Sequence, residues 1–443
     1  MALIVPKRLG RQRPTGGRRL AGDTLWASAV EGVTMTSGLV VMYVISTRLG
    51  PEAYGFFVGA QALVATLGMV SYAAVAQLLM QGIVRDRRPP QQVLSACLTL
   101  LAAAAAAAFA VGLALQPLLF PGLALQVFVL LAVAELVGAG VVSLGAAYLQ
   151  AMDRYRHSVL VRLVLLVLRT STVVVLVTGG QVSLIAVAWT YCVLGLLAAG
   201  TVLGQLMWRE RLSLRPAVPR RRDVGDGASF AGALLAFSVH EDVDKILMVR
   251  LTDPATAGLY GAAYRAVQVA AAPIKALVTA SHRRFLQHDD DRKGEHVRRS
   301  FRFTLLGTAY GLTAGLIVVM AAPLLPLVLG EDYEGSVDMV RVLAALVVLR
   351  GLGGFAFNGL LGFGAHGHRL VVITGAATTA AVLTVVLVPH LSWLGGALAT
   401  LMAEAVFVLG SWAHLVRRQH RHDSAVTEAD SADGSVLHDE PAR

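Results

Sequence analysis

Long apolar runs, each closed by turn residues or a cluster of charges, recur along the whole 443-residue chain. They fall at 24–47, 55–80, 93–115, 122–149, 158–178, 182–207, 227–250, 256–281, 302–328, 337–363, 370–388 and 393–416. A helix rises 1.5 Å per residue and a bilayer core is about 30 Å thick, so each run has the length to cross a membrane. The pattern predicts an all-α integral membrane protein of about twelve transmembrane helices.

Composition agrees with lipid as the solvent. The chain is 56% hydrophobic and 15% charged, with a mean hydropathy of +0.65, whereas soluble domains carry about 25% charged residues. The net charge of +10 does not point to nucleic acid, because the Lys and Arg residues gather in the short segments between apolar runs. Cys97 and Cys192 lie inside apolar runs and offer neither a disulfide framework nor a metal-ligand spacing.

Charge also orients the helices. With both termini in the cytosol, segments 1–23, 81–92, 150–157, 208–226, 282–301 (with Arg302 at its edge), 364–369 and 417–443 hold 29 of the 38 basic residues. The opposite loops hold Arg48 and Arg250 at helix ends. The positive-inside rule therefore predicts cytosolic termini. The organisation expected is a basic arm (1–23), a six-helix lobe (24–207), a basic linker (208–226), a second six-helix lobe (227–416) and a disordered acidic tail (417–443). The loop group His288, Asp289, Asp290, Asp291 and His296 reads as a solvated charge-mixed segment rather than a metal site. The small residues of Ala102–Ala108 read as a surface for close helix packing.

The halves resemble one another. RLGPEAYGFFVGA after the first helix parallels RLTDPATAGLYGAA after the seventh, pairing Gly55 with Gly258 and Phe57 with Tyr260. LQAMDRYRH (149–157) and LGFGAHGHR (361–369) follow the fourth and tenth helices. Both members of each pair leave the membrane on the same side, so the repeats are parallel. Transporters place substrate between such halves and rock one against the other.

A dozen ionisable residues sit at membrane depth: Glu31, Glu135, Glu241, Asp242, Asp244 and Glu404, with Arg162, Arg169, Lys245, Arg265, Lys275 and Arg350. Each costs roughly 2.5–3.5 kcal/mol when isolated in lipid, so they must pair or face a wet central chamber. Arg162 and Arg169, seven residues apart, share one face of the fifth helix. Arginine suits an anionic cargo such as a phosphate, which its planar fork binds bidentately. In the seventh helix Glu241, Asp244 and Lys245 share a face, either as an internal ion pair or as a carboxylate that binds the coupling ion. Glu404, with no local partner, and Glu31 are further coupling candidates.

RLGPEAYGFF, Asp244-Lys245 followed by AGLYGAAYR (257–265), PLVLGEDYEGSVDMVRVLA (326–344), GLLGFGAHGH (359–368) and WLGGALATLMAE (393–404) together resemble the bacterial oligosaccharide flippases, the O-antigen translocase or Wzx type of the MATE/MOP superfamily. The resemblance covers roughly 24–416. It implies two pseudo-symmetric six-helix lobes around a cationic cavity in the bacterial inner membrane. It further implies flipping of an undecaprenyl-diphosphate-linked oligosaccharide, without a cofactor and driven by a proton or sodium gradient. Membrane lipid, a polysaccharide polymerase and glycosyltransferases are the partners implied. Arg48, Asp244, Lys245 and Arg265 stand where the motifs carry similar residues; Arg162, Arg169, Lys275, Arg350, Glu404 and Glu31 follow from depth and charge. Lipid II flippases of the superfamily usually carry extra helices, which are not found in this pattern.

Two alternatives remain at the level of sequence. A MATE-like multidrug exporter shares the architecture but would favour an acidic chamber for cationic drugs. A membrane-embedded glycosyltransferase or ligase could use Asp242-Val243-Asp244 as a DxD motif, but these acids lie inside a helix and the outward loops are short.

Overall fold

The structure, a computed structural model, describes residues 17–180, 183–209, 218–286, 295–363 and 365–436. Within these, the side chains of 17–31, 282–286, 295–296 and 421–436, and a few at segment ends, lie outside the description. The side chains of Glu31 and His296, the His288–Asp291 group and much of both terminal segments therefore lie outside the described residues.

The described chain is helical throughout its spans. The first helical stretch, Gly17–Gly68, is broken at Gly50, whose φ of 78° is open to glycine and strained for other residues. We therefore number α1 as 17–49 and α2 as 51–85. There follow α3 (Pro90–Leu119), α4 (Leu125–Ala151), α5 (Tyr155–Thr178), α6 (Leu184–Arg209), α7 (Arg221–Leu251) and α8 (Pro254–Leu286). The remaining helices are α9 (Glu295–Ala321), α10 (Ser336–Leu343 continued by Ala345–Gly362), α11 (His366–Leu391) and α12 (Trp393–Val436). Nine described stretches have the length and apolar composition of a membrane span. One of them is the kinked α1–α2 pair, and α7 and α8 fall short in apolar character rather than length, which brings the membrane-length helices among the described residues to twelve. The run expected over 302–328 divides: α9 stops at Ala321, and Pro323 starts a separate short helix, Leu324–Leu329.

The two halves begin alike. Pro51 opens α2 and Pro254 opens α8, each at a first helical position where a missing N–H costs nothing. Asp253 caps α8, its carboxylate accepting from the Thr256 N–H (2.9 Å) and hydroxyl (2.6 Å). These two helix starts meet on the side opposite the chain termini. A Cβ on Gly55 would lie 1.8 Å from the Pro254 carbonyl oxygen, and one on Gly258 would lie 1.9 Å from that of Pro51. The contact is reciprocal at the repeat offset seen in the sequence, and it seals that side backbone to backbone.

A continuous apolar core spans both halves along α1, α2, α4, α7, α8 and α10. A second cluster packs α2 to α6 among themselves, and a small third one joins α10, the turn after it and α12. Ala105 and Ala108 are buried as the alanine run predicts, but Ala102 and Ala106 line an apolar groove between α3 and α4. Three π-helical turns interrupt the regular pattern, Met69–Ala73 and Gln81–Arg85 in α2 and Val133–Ala139 in α4. Such turns commonly mark functional positions.

Candidate functional site

Between the halves lies a cavity of about 310 Å³, lined from α1 and α2 (Ser37, Gly38, Gln61), α6 (Tyr191), α7 (Asp242, Lys245) and α8 (Tyr264, Arg265). The Arg265 guanidinium reaches across it to α1. It occupies the space a side chain at Gly38 would fill, its Nη2 being 1.3 Å from where that Cβ would stand, and it donates to Gln268 (3.3 Å). Among the described residues Arg265 has no carboxylate partner.

The first half adds two more arginines. On α5 the exposed apolar side chains Leu160, Val164, Val167, Leu168 and Val175 make a lipid-facing stripe. Arg162 is also exposed, but about half a circumference away from that stripe. Arg169 lies on the same face, half-buried, with its guanidinium 5.0 Å above the Tyr191 ring and an Nη2–H donated to the Ala134 carbonyl (3.3 Å). Its Nε is buried without a partner. Beside it the Tyr72 hydroxyl donates to Glu135 (2.7 Å), each residue sitting on a π turn of its own helix.

In the second half the charges are largely paired: the internal ion pair expected between Lys245 and a carboxylate of its own helix is present, and the reading of Arg350 as a cation of the chamber is corrected. Lys245 pairs with Asp244 (3.1 Å) and Asp242 (3.2 Å) rather than with the Glu241 carboxylate, donates to the Glu241 carbonyl, and rests 3.7 Å above the Tyr264 ring. Glu241 is held instead by Arg350 on α10 (2.9 Å), which also donates to the Tyr264 hydroxyl (3.0 Å). Arg350 is therefore neutralised and is not a free cation of the chamber. Glu404 has a partner that its own helix does not reveal: His240 on α7, 3.3 Å away.

Asp244 is saturated as well. Beyond Lys245 it accepts from the hydroxyls of Tyr260 on α8 (2.7 Å) and Thr400 on α12 (3.0 Å), tying three helices together. Lys275 is exposed on α8, on the face that carries Tyr264 and Gln268, and acts electrostatically on Glu241. Arg48 stands exposed at the end of α1, outside the cavity lining. The structure thus brings Arg265, Lys245 and Asp242 to the cavity and places Arg162 and Arg169 on its flank. It adds Tyr72, Glu135, His240, Tyr260, Tyr264 and Thr400, none of which carried an assigned role in the sequence. The π turns that present Tyr72 and Glu135 leave no mark in the hydrophobic pattern. His240 could have been found, as a histidine at the centre of an apolar run.

Residues 20–282, more than half of the chain, match the family described as polysaccharide biosynthesis protein. The chain belongs to that family. No curated protein sequence matches it significantly. Among solved structures, this polysaccharide biosynthesis protein is similar to an inward-facing multidrug resistance MATE family transporter of the MOP superfamily. That match has a TM-score of 0.67 at 15% identity, covering 89% of this chain and 99% of that one. An outward-facing counterpart matches with a TM-score of 0.60 at 16% identity over 90% and 96%. A MOP superfamily transporter from Pyrococcus furiosus, described as having a binding pocket of reverse polarity, matches with 0.60 at 16% identity over 90% and 96%. The polysaccharide biosynthesis protein is thus a multi-pass helical membrane protein with the MATE fold.

Proposed function

We propose that this protein flips an undecaprenyl-diphosphate-linked oligosaccharide across the bacterial cytoplasmic membrane by alternating access. The observation that carries the reading is the arginine set itself: Arg265 in the cavity and Arg162 and Arg169 on its flank have no carboxylate within ion-pair distance among the described residues. An uncompensated arginine cluster at membrane depth is stabilised by an anionic guest, and a diphosphate offers the oxygens that guanidinium groups bind in pairs. Membership of a polysaccharide biosynthesis family supports a glycan on that diphosphate. The reverse pocket polarity described for the Pyrococcus furiosus transporter supports a MOP-type cavity serving a cargo other than a cationic drug. The bias of basic residues toward the terminal side supports termini in the cytosol, and so an outward direction of export. Asp244 and Glu404 remain the coupling candidates with described side chains, and Glu31 the third.

The test is flipping of a fluorescent polyprenyl-diphosphate oligosaccharide in proteoliposomes. Arg265→Ala is expected to slow it about 10- to 100-fold, the loss of a charge-assisted hydrogen bond of about 1.5–3 kcal/mol. An unchanged rate in Arg265→Ala removes the arginine from cargo binding, and efflux of a cationic dye with no glycolipid movement replaces this reading with that of a drug exporter.

A further inference from the structure

One buried pair is left unexplained by cargo binding. His240 and Glu404 face each other across α7 and α12 with side chains 5% and 6% exposed, and neither belongs to the cavity lining. The imidazole stacks on Phe407 (centroids 5.7 Å, planes 23° apart), which packs against Phe357 (4.9 Å). Its Nδ1 is buried with no hydrogen-bond partner. A histidine held this way is a poor structural hydrogen-bonder, because half of its polar capacity is unused.

The charges around the pair show what it can bind. Glu404 on α12, Glu241 on α7 and Arg350 on α10 act on His240. Glu241 and Arg350 neutralise each other. From α8 come Tyr264, which holds Arg350, and Lys275, which faces Glu241. Along α7 itself, Lys245 stands against two carboxylates, Asp242 and Asp244. Residues 370–389 of α11 contain no titratable group, and α2 contributes the neutral Thr66. With His240 neutral, the four carboxylates Glu404, Glu241, Asp242 and Asp244 stand against the three cations Arg350, Lys245 and Lys275, which leaves one net negative charge at membrane depth. One added proton makes it neutral, as an imidazolium–carboxylate pair or as its neutral tautomer. A buried net charge is disfavoured while a neutral pair is tolerated, so this enclosure binds a proton and releases it when the pair meets water.

The pair is also placed to affect the lobes. Two residues along α7, the Ser238 hydroxyl hydrogen-bonds Thr66 of α2, 2.8 Å away in the other half of the molecule. We propose that His240 and Glu404 form a proton-binding site whose loaded state stabilises the arrangement seen here and whose deprotonation favours the one that opens the pair to water. The coupling ion of the flippase proposed above is then the proton. The inference deepens that reading and rests on it for its physiological role, while the proton binding itself is measurable without glycolipid.

The full chain with Cys97→Ser and Cys192→Ser, carrying spin labels at Arg156→Cys on α5 and Thr279→Cys on α8, reports the separation of the lobes at their terminal-side ends. In liposomes without glycolipid, the distance distribution is expected to shift between about pH 5 and pH 8.5, bracketing the ordinary histidine value of about 6.5. His240→Gln and Glu404→Gln should each abolish the shift, and exchanging sodium for potassium at fixed pH should leave it unchanged. Should a variant fail to fold, the infrared carboxyl band of unmodified protein, moved in Glu404→Asp, reads the same proton. A full-sized pH shift in either folded variant, a response to sodium instead of pH, or no shift and no titrating band in the wild type overturns the proposal. An intact pH response without glycolipid flipping removes the proposed cargo and leaves the proton site. Flipping without a pH response does the reverse.

Discussion

At the residue scale, the informative side chains are those whose surroundings cannot be exchanged for lipid. Asp244 accepts from Lys245, Tyr260 and Thr400 at once, so its carboxylate is a structural node. Asp244→Ala leaves Lys245 to Asp242 and strands two buried hydroxyls, and is expected to cost about 1–3 kcal/mol, seen as a lower melting temperature in detergent; a melting temperature equal to the wild type rejects that role. Gly38 shows the opposite relation, an empty place that another residue needs. Because the Arg265 guanidinium occupies the volume of a Cβ there, Gly38→Ala must push the arginine off α1. Glycolipid binding is expected to weaken several-fold with the fold intact, and binding isotherms of the variant check it.

At the scale of the element, α7 gathers most of the chemistry. Over residues 238–245 it reaches α2 through Ser238, α12 through His240, α10 through Glu241 and α8 through Asp244. The helices were legible in the sequence because lipid imposes both a length and a composition on every span. Which charge meets which was not. Spacing along one helix put Glu241 and Asp244 on the face of Lys245 without choosing between them; tertiary packing gives Glu241 to Arg350, 109 residues away, and leaves Lys245 the two aspartates. Glu404 looked solitary for the same reason, its partner being on another helix. The arginines of the first half were legible as a shared face, because seven residues bring a helix nearly back to the same angle. The Glu241–Arg350 pair makes a clean test of these assignments. Arg350→Met alone is expected to destabilise by about 3–5 kcal/mol, and Glu241→Leu with Arg350→Met by clearly less, since no buried charge is then left alone. Additive losses in a double-mutant cycle would show that the two side chains do not interact.

At the scale of the whole molecule, two halves meet around one cavity, joined by the Gly55–Pro254 and Gly258–Pro51 contacts on the side opposite the termini. A valine at Gly55 or Gly258 cannot fit against those carbonyls. Gly55→Val is expected to hold the halves apart on that side and expose the cavity there. A cysteine at Gln61, which lines the cavity, should then react with an impermeant thiol reagent added from that side, and should not react in the unsubstituted background. Equal labelling in both would mean that the seal does not separate the cavity from that face.

The reciprocity of that seal also bears on how it breaks. The two contacts sit at matching places in the repeat, each glycine lying under the other half's proline carbonyl. Rocking one half away from the other on that side has to part both contacts in one motion, because each glycine is held by the half that moves from it.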